Sequence, residues 1–191
     1  MTTREYDIVL FGATGFVGAL TAAQLASASP AQARIALAGR SLPHLESVRR
    51  GLPARARAWD LVAVDAADSE GLRRLAARTV VLASTVGPYA RLGKEVVRAA
   101  AEEGTHYADL TGEVLFVRWA MDNVDAVARA SGARIVHSCG FDSIPSDLGV
   151  LITAQQAAAD GQGTLADTTL AVTSLRAASR AAPSTRCDSR S

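Results

Sequence analysis

The chain has 191 residues, with 20 lysines and arginines against 19 acidic residues and a formal net charge of +1. That length supports one substantial core and the start of a second, and the even charge balance argues against a dedicated nucleic-acid binder. No apolar run approaches the roughly 18 residues of a membrane span, and two cysteines without a CxxC and three scattered histidines offer neither a disulfide framework nor a metal-ligand spacing.

Met1 to Glu5 leads straight into an apolar, β-prone run at 6–11, which predicts no signal peptide. The run enters Gly12-Ala13-Thr14-Gly15-Phe16-Val17-Gly18 and then an alanine-rich helical stretch at 16–27. Strand, tight turn and helix in that order make an anion site. The first amides of the helix lack intrahelical partners, and the helix dipole adds positive charge there. Gly12 is expected to permit the turn, Gly15 to let a pyrophosphate approach the backbone, and Gly18 to allow close helix–strand packing. The spacing is Gly-x-x-Gly-x-x-Gly rather than the commoner Gly-x-Gly-x-x-Gly.

Strand and helix patterns then alternate. Strands are predicted at 34–38, 59–64, 79–83, 106–109 and 134–137. Helices are predicted at 45–52, 69–77, 91–103 and 115–130. The run Val80-Val81-Leu82-Ala83 reads as a strand buried on both faces. This alternation predicts an α/β fold, a doubly wound parallel sheet of the Rossmann type spanning residues 1–145. After Pro145 the pattern changes. A helix at 146–159 and one further strand at 168–174 read as the beginning of a second α+β domain, residues 146–175. Residues 176–191 have no apolar periodicity and four arginines, and are expected to be a disordered tail.

The end of the second strand decides between the nicotinamide cofactors. An acid there favours NAD, whereas an arginine accommodates the extra phosphate of NADP. Here the strand ends Leu37-Ala38-Gly39-Arg40-Ser41, without an acid. Arg40 is expected to grip the phosphate, with Ser41 adding a hydroxyl, so the predicted cofactor is NADP as NADPH. Asp65, after the third strand, reads equally as an adenine contact or as a cap of the next helix. Thr85-Val86-Gly87-Pro88-Tyr89, after the fourth strand, is expected to border the pyrophosphate and nicotinamide ribose. Lys94 follows Tyr89 by five residues, so the Tyr-x-x-x-Lys pair of short-chain dehydrogenases is absent.

Asp109, Glu113 and Asp142 lie after the fifth and sixth strands, where each suits acid–base chemistry or, more simply, capping. Cys139 reads as a small buried residue rather than a nucleophile. No catalytic residue and no metal ligand is assigned.

Phe11 to Gly18, the Leu37-Ala38-Gly39-Arg40 strand end, Val86-Gly87-Pro88-Tyr89, Tyr107-Ala108-Asp109-Leu110-Thr111-Gly112-Glu113 and Gly140-Phe141-Asp142-Ser143-Ile144-Pro145-Ser146-Asp147 occur in this order. Together they resemble the saccharopine dehydrogenase-like oxidoreductases, and within them the actinobacterial group that includes trans-acting enoyl reductases of cell-envelope lipid synthesis. The resemblance covers residues 5–176. It implies a Rossmann domain, a nicotinamide cofactor, and a second, largely β domain that closes over an acyl or enoyl lipid-type substrate.

Members of that family continue past a Ser-Leu-Arg like Ser174-Leu175-Arg176 with a glycine-rich stretch that is missing here. One back-translation of residues 181–188, shifted by a nucleotide, resembles the continuation. The tail is therefore expected to be a frameshift product and the chain a truncated member. The implied function is an NADP-dependent oxidoreductase. A non-catalytic NADP sensor or interaction protein, and an inactive truncated product, are the alternatives. A cytoplasmic location is expected, with peripheral association with the inner membrane and oligomerisation left open.

Overall fold

Val9, Leu10 and Phe11 explain the layering of the molecule. In the computed structural model, which describes residues 4–174, β1 (Tyr6–Phe11) sends Val9 and Phe11 into one core and Leu10 into another. Successive side chains of a strand point to opposite faces, so a strand apolar at each of these positions needs cover on both sides. With β2 (Ile35–Gly39), β3 (Asp60–Ala63), β4 (Thr79–Ser84), β5 (His106–Asp109) and β6 (Ile135–Val136) it forms a six-stranded sheet in the order β3-β2-β1-β4-β5-β6. Every neighbouring pair is parallel.

The helices of this part are α1 (Phe16–Ala28), α2 (Leu42–Gly51), α3 (Ser69–Ala77), α4 (Tyr89–Leu92), α5 (Lys94–Glu102) and α6 (Val114–Ser131). Ala22 and Ala26 of α1 and Leu45 of α2 share a core with Leu10 and Leu37. Leu72 and Leu75 of α3, Val96 and Val97 of α5, and Phe116 and Val124 of α6 share the other core with Val9, Phe11, Leu82 and Tyr107. The sheet is thus doubly wound, of the Rossmann type. The chain leaves β1 toward β2 on one side and returns to β4 on the other, so the strand order switches there. A crevice opens at such a switch, beyond the carboxyl ends of the strands.

Several details depart from the sequence pattern. The helix expected at 91–103 is two helices, broken at Gly93, where a Cβ would come within 2.9 Å of Phe116 Cζ and of the Tyr89 carbonyl. A 3-10 turn, Ala54–Ala58, tucks Ala56 and the following Trp59 into the core and was not legible from periodicity. Val80 is exposed, so β4 is not buried on both faces at its amino end.

The chain divides into two compact units, Met1–Pro145 and Ser146–Ser191. The sheet belongs to the first. The second is built on α7 (Ile144–Ala159), none of whose residues is buried. Residues 168–174 do not form the expected strand. A strand exists through ladder hydrogen bonds, and among the described residues no strand pairs with this segment. Residues 176–191, expected to be a disordered and frameshifted tail, and Cys187 lie outside the described residues. No helix among the described residues is long and apolar enough to cross a membrane.

Candidate functional site

The turn after β1 is held by its glycines. Gly12 has φ +93°, and a Cβ there would lie 2.6 Å from Val86 Cγ2 and 2.8 Å from Thr85 Oγ1. Its carbonyl accepts from Gly15 N at 3.0 Å and from the Thr85 hydroxyl at 3.1 Å. A Cβ on Gly18 would sit 2.1 Å from that same carbonyl oxygen, so α1 can dock on the turn only without a side chain there. At Gly15 the nearest protein atom to a Cβ is the Gly12 carbonyl oxygen, at 3.4 Å. A side chain at 15 would therefore enter the space in front of the helix and not the protein. Gly15 is the N-cap of α1 and has no side chain with which to cap that terminus. By contrast, Asp68 caps α3 by accepting from Gly71 N at 2.9 Å.

That space is a cavity of about 370 Å³ over the carboxyl ends of β3, β2, β1 and β4. Phe11, Gly12, Thr14 and Gly15 form its floor, and Gly39 and Arg40 the wall after β2. Asp65 and Ala66 line it after β3. Thr85, Val86 and Gly87 after β4, with Arg91 and Leu92 on α4, close the remaining side. Its charged groups are two arginines and one aspartate. Asp65 Oδ1 accepts from Ala67 N at 2.9 Å, bending its own loop, and the helix cap that the sequence left open is Asp68. The Arg40 and Arg91 side chains make no ion pair and no hydrogen bond among the described residues. Elsewhere arginines hold carboxylates, as in Arg34–Asp7 at 2.6 Å, Arg118–Asp122 at 2.7 Å and Arg129–Asp125 at 2.7 Å.

Of the residues singled out in the sequence, Gly12, Thr14, Gly15, Arg40, Asp65, Thr85, Val86 and Gly87 come together on this cavity. Others do not wall it. Ala13 and Gly18 are buried beneath the turn, and Phe16 and Val17 stand exposed on the first turn of α1. Ser41 is the N-cap of α2 and makes no side-chain cap bond. Pro88 is the N-cap of α4, after a cis Gly87–Pro88 peptide. Tyr89 turns into the core, donating its hydroxyl to the Ser84 carbonyl at 3.0 Å and packing on Phe116 with ring centroids 5.8 Å apart. Burial, with the nearby Asp109 and Glu113 carboxylates, pushes its phenol up to about 12. Arg91 and Leu92 were missed. A cation in the first turn of the helix after Gly-Pro was the only signal.

A second polar cluster joins the ends of β5 and β6. The buried Asp109 carboxylate accepts from Thr111 N at 3.1 Å and Ser138 N at 3.2 Å, and its Oδ2 lies 2.7 Å from His137 Nδ1. Ser138 has φ +59°, held by its hydroxyl bond to the Thr111 carbonyl at 2.7 Å. His137 Nε2 is buried without a hydrogen-bond partner among the described residues, and the buried Tyr107 hydroxyl faces Asp109 and Ser84. Glu113 caps α4, accepting from Tyr89 N at 2.7 Å and Ala90 N at 2.8 Å. Asp142, expected as a cap, makes no hydrogen bond among the described residues. Cys139 is exposed, not buried as expected. Partial desolvation and the Asp109 charge push its thiol up, which disfavours the thiolate a nucleophile needs.

A family model described as the saccharopine dehydrogenase NADP binding domain matches residues 8–136. The chain is 51% identical over 172 residues to a trans-acting enoyl reductase of Mycobacterium tuberculosis, covering 90% of this chain and 41% of that protein. It is equally similar to a trans-acting enoyl reductase of Mycobacterium ulcerans, again 51% over 172 residues, with the same coverage of both. The chain thus spans about two fifths of the length of the curated relatives it matches. Apo saccharopine dehydrogenase (L-Glu forming) of Saccharomyces cerevisiae has the same fold, with TM-score 0.67 at 18% identity over 82% of this chain and 32% of its own. The Citrobacter triphenylmethane reductase, solved with NADP(H), superposes with TM-score 0.51 at 18% identity over 80% of this chain and 55% of its own. The chain belongs to the saccharopine dehydrogenase NADP-binding family, and its cofactor is NADP. The residues present fit that group: a glycine cradle that a Cβ would fill, a helix start with glycine at its N-cap, and two guanidinium groups without an ion pair among the described residues line one cavity.

Proposed function

We propose that this member of the saccharopine dehydrogenase NADP-binding family serves the NADPH-dependent reduction of an acyl substrate bearing a carbon–carbon double bond. Residues 1–145 act as the cofactor-binding domain, and residues 146–175 open the region that meets the substrate. Bound NADPH supplies the hydride. The chain's own residues supply the seat: the Gly12–Gly15 turn and the start of α1 take the pyrophosphate, Arg40 takes the adenosine 2′-phosphate, and Asp65 faces the adenosine. Thr85 to Gly87 flank the cofactor beyond β4, while Ala13, Gly18 and Tyr89 shape the walls from behind. The acyl assignment is carried over from the enoyl reductases named above, and we place the reaction in the cytoplasm.

The observation that carries the cofactor reading is Arg40. It lines the cavity without a carboxylate partner among the described residues, at the end of a strand that carries no acid. A charge-assisted contact contributes roughly 1.5–3 kcal/mol. Arg40→Ala therefore weakens NADPH binding by about ten- to a hundredfold and leaves NADH nearly unchanged, read by nucleotide fluorescence titration. Equal loss for both cofactors refutes the assignment.

One further feature favours cofactor binding without turnover as a second reading. The cavity is lined from β1 to β4 and α4, and by no residue of the β5 and β6 ends. NADPH consumption with 2-enoyl thioesters separates the two readings: binding in equal proportion with no consumption favours the second.

A further inference from the structure

Arg91 is the cation of the cavity that no motif announces. It stands exposed on α4, next to Leu92, and both line the same cavity as Arg40. Arg40 approaches from the β2–α2 side, where Leu45 and Leu37 pack in one core. The Arg91 wall belongs to the opposite side of the sheet, where Tyr89 and Leu92 pack on the other core. The two guanidinium groups therefore face one space from two sides. Neither guanidinium makes an ion pair or a hydrogen bond among the described residues.

Charge decides why a second arginine is needed. Asp65 also lines the cavity. With Arg40 alone the charged lining sums to zero, and a phosphate approaching it gains little. Arg91 makes the lining net positive. A phosphate monoester carries close to two negative charges near neutral pH and presents three acceptor oxygens, more than one guanidinium fork satisfies. The adenosine 2′-phosphate of NADP is such a group, whereas the pyrophosphate already has the amides of the glycine turn.

We propose that Arg91 is a specificity-determining residue that, with Arg40 from the opposite wall, clamps the adenosine 2′-phosphate. This rests on the NADP reading above. It adds that discrimination against NADH is shared between β2 and α4 rather than set by the β2 end alone.

The test uses the full chain and isothermal titration with NADPH, NADH, 2′,5′-ADP and ADP. Arg91→Ala is expected to weaken NADPH and 2′,5′-ADP by about tenfold or more, leaving ADP and NADH within about twofold. The Arg91 side chain makes no hydrogen bond or ion pair among the described residues, so an unchanged thermal melt checks that the variant is intact. Arg57→Ala, on the 3-10 turn, controls for net charge and is expected to change nothing at moderate salt. The proposal is overturned if Arg91→Ala leaves 2′,5′-ADP binding intact while Arg40→Ala still weakens it, an outcome in which the NADP reading stands. It is also overturned if ADP weakens as much as 2′,5′-ADP, which puts Arg91 on the pyrophosphate, or if Arg57→Ala matches Arg91→Ala. Failure of the wild-type chain to prefer NADPH over NADH removes the NADP reading itself.

Discussion

His137 Nδ1 lies 2.7 Å from Asp109 Oδ2, across the carboxyl ends of neighbouring strands. The Asp109 side chain is fully buried, and the same carboxylate also receives the amides of Thr111 and Ser138. One side chain thus ties the β5 loop to the β6 loop. Replacing it strands several buried donors at once, and each unsatisfied buried group costs about 1–3 kcal/mol. Asp109→Ala is expected to lower stability by about 2–4 kcal/mol, read from urea unfolding. NADPH affinity of the folded variant should change little, because Asp109 does not line the cofactor cavity. A loss of affinity larger than the loss of stability would show that this cluster belongs to the cofactor site.

The glycines of the turn separate folding from binding. Gly18→Ala places a Cβ 2.1 Å from the Gly12 carbonyl oxygen, which forces α1 off the turn. It is expected to destabilise the chain by about 1–3 kcal/mol or more. A Cβ at Gly15 comes no nearer than 3.4 Å to the Gly12 oxygen, so Gly15→Val is expected to fold while its side chain enters the space proposed for the pyrophosphate. Thermal melts and calorimetric titration of the two variants should therefore give opposite profiles. Unchanged NADPH affinity in a folded Gly15→Val variant would mean that the turn does not cradle phosphate.

Most of the sheet was legible because its strands are short apolar runs set between helical patterns, and the glycine turn and Arg40 carry their chemistry in local sequence. What escaped depended on distant contacts. Arg91 lines the cavity from α4, a single turn that begins at Tyr89, two residues before the helix start expected from the sequence. Tyr89 sits in a cofactor-like loop yet turns inward, because Ser84 and Phe116 receive it. Asp65 reads as a cap or as an adenine contact in sequence, and the backbone gives the cap to Asp68 instead, which the sequence reading did not single out. The strand expected at 168–174 had the composition of a strand but no neighbour among the described residues to pair with.

Glu113 connects the β5 loop to the cofactor wall. Its two carboxylate oxygens accept from Tyr89 N and Ala90 N, the first amides of α4. Loss of a capping group costs about 0.5–2 kcal/mol, and α4 is a single turn with no side-chain cap of its own. Glu113→Ala is expected to lower stability by about that amount. It should also weaken 2′,5′-ADP binding, because α4 carries Arg91. Glu113→Gln retains one acceptor oxygen and should fall between the two. Amide hydrogen exchange at Tyr89 and Ala90 reads the cap directly. Protection unchanged in Glu113→Ala would show that the carboxylate does not hold the helix.

The chain contains three tyrosines, and each is shifted upward. Burial is the main cause in all of them. The Glu5 carboxylate adds to it at Tyr6, and the Asp109 charge at Tyr89 and Tyr107. An unfolded tyrosine ionises near pH 10, while Tyr89 in the fold waits until about 12. Between those values the unfolded chain has released protons that the native chain keeps. Stability is therefore fully present below about pH 10 and declines as pH rises toward 12. Phenolate absorbance and far-ultraviolet circular dichroism, followed together in an alkaline titration, test this. The folded chain is expected to show no phenolate near pH 10, and the phenolate step should coincide with loss of helix signal. A phenolate step near pH 10 with the helix signal intact would mean that at least one of these rings is open to solvent.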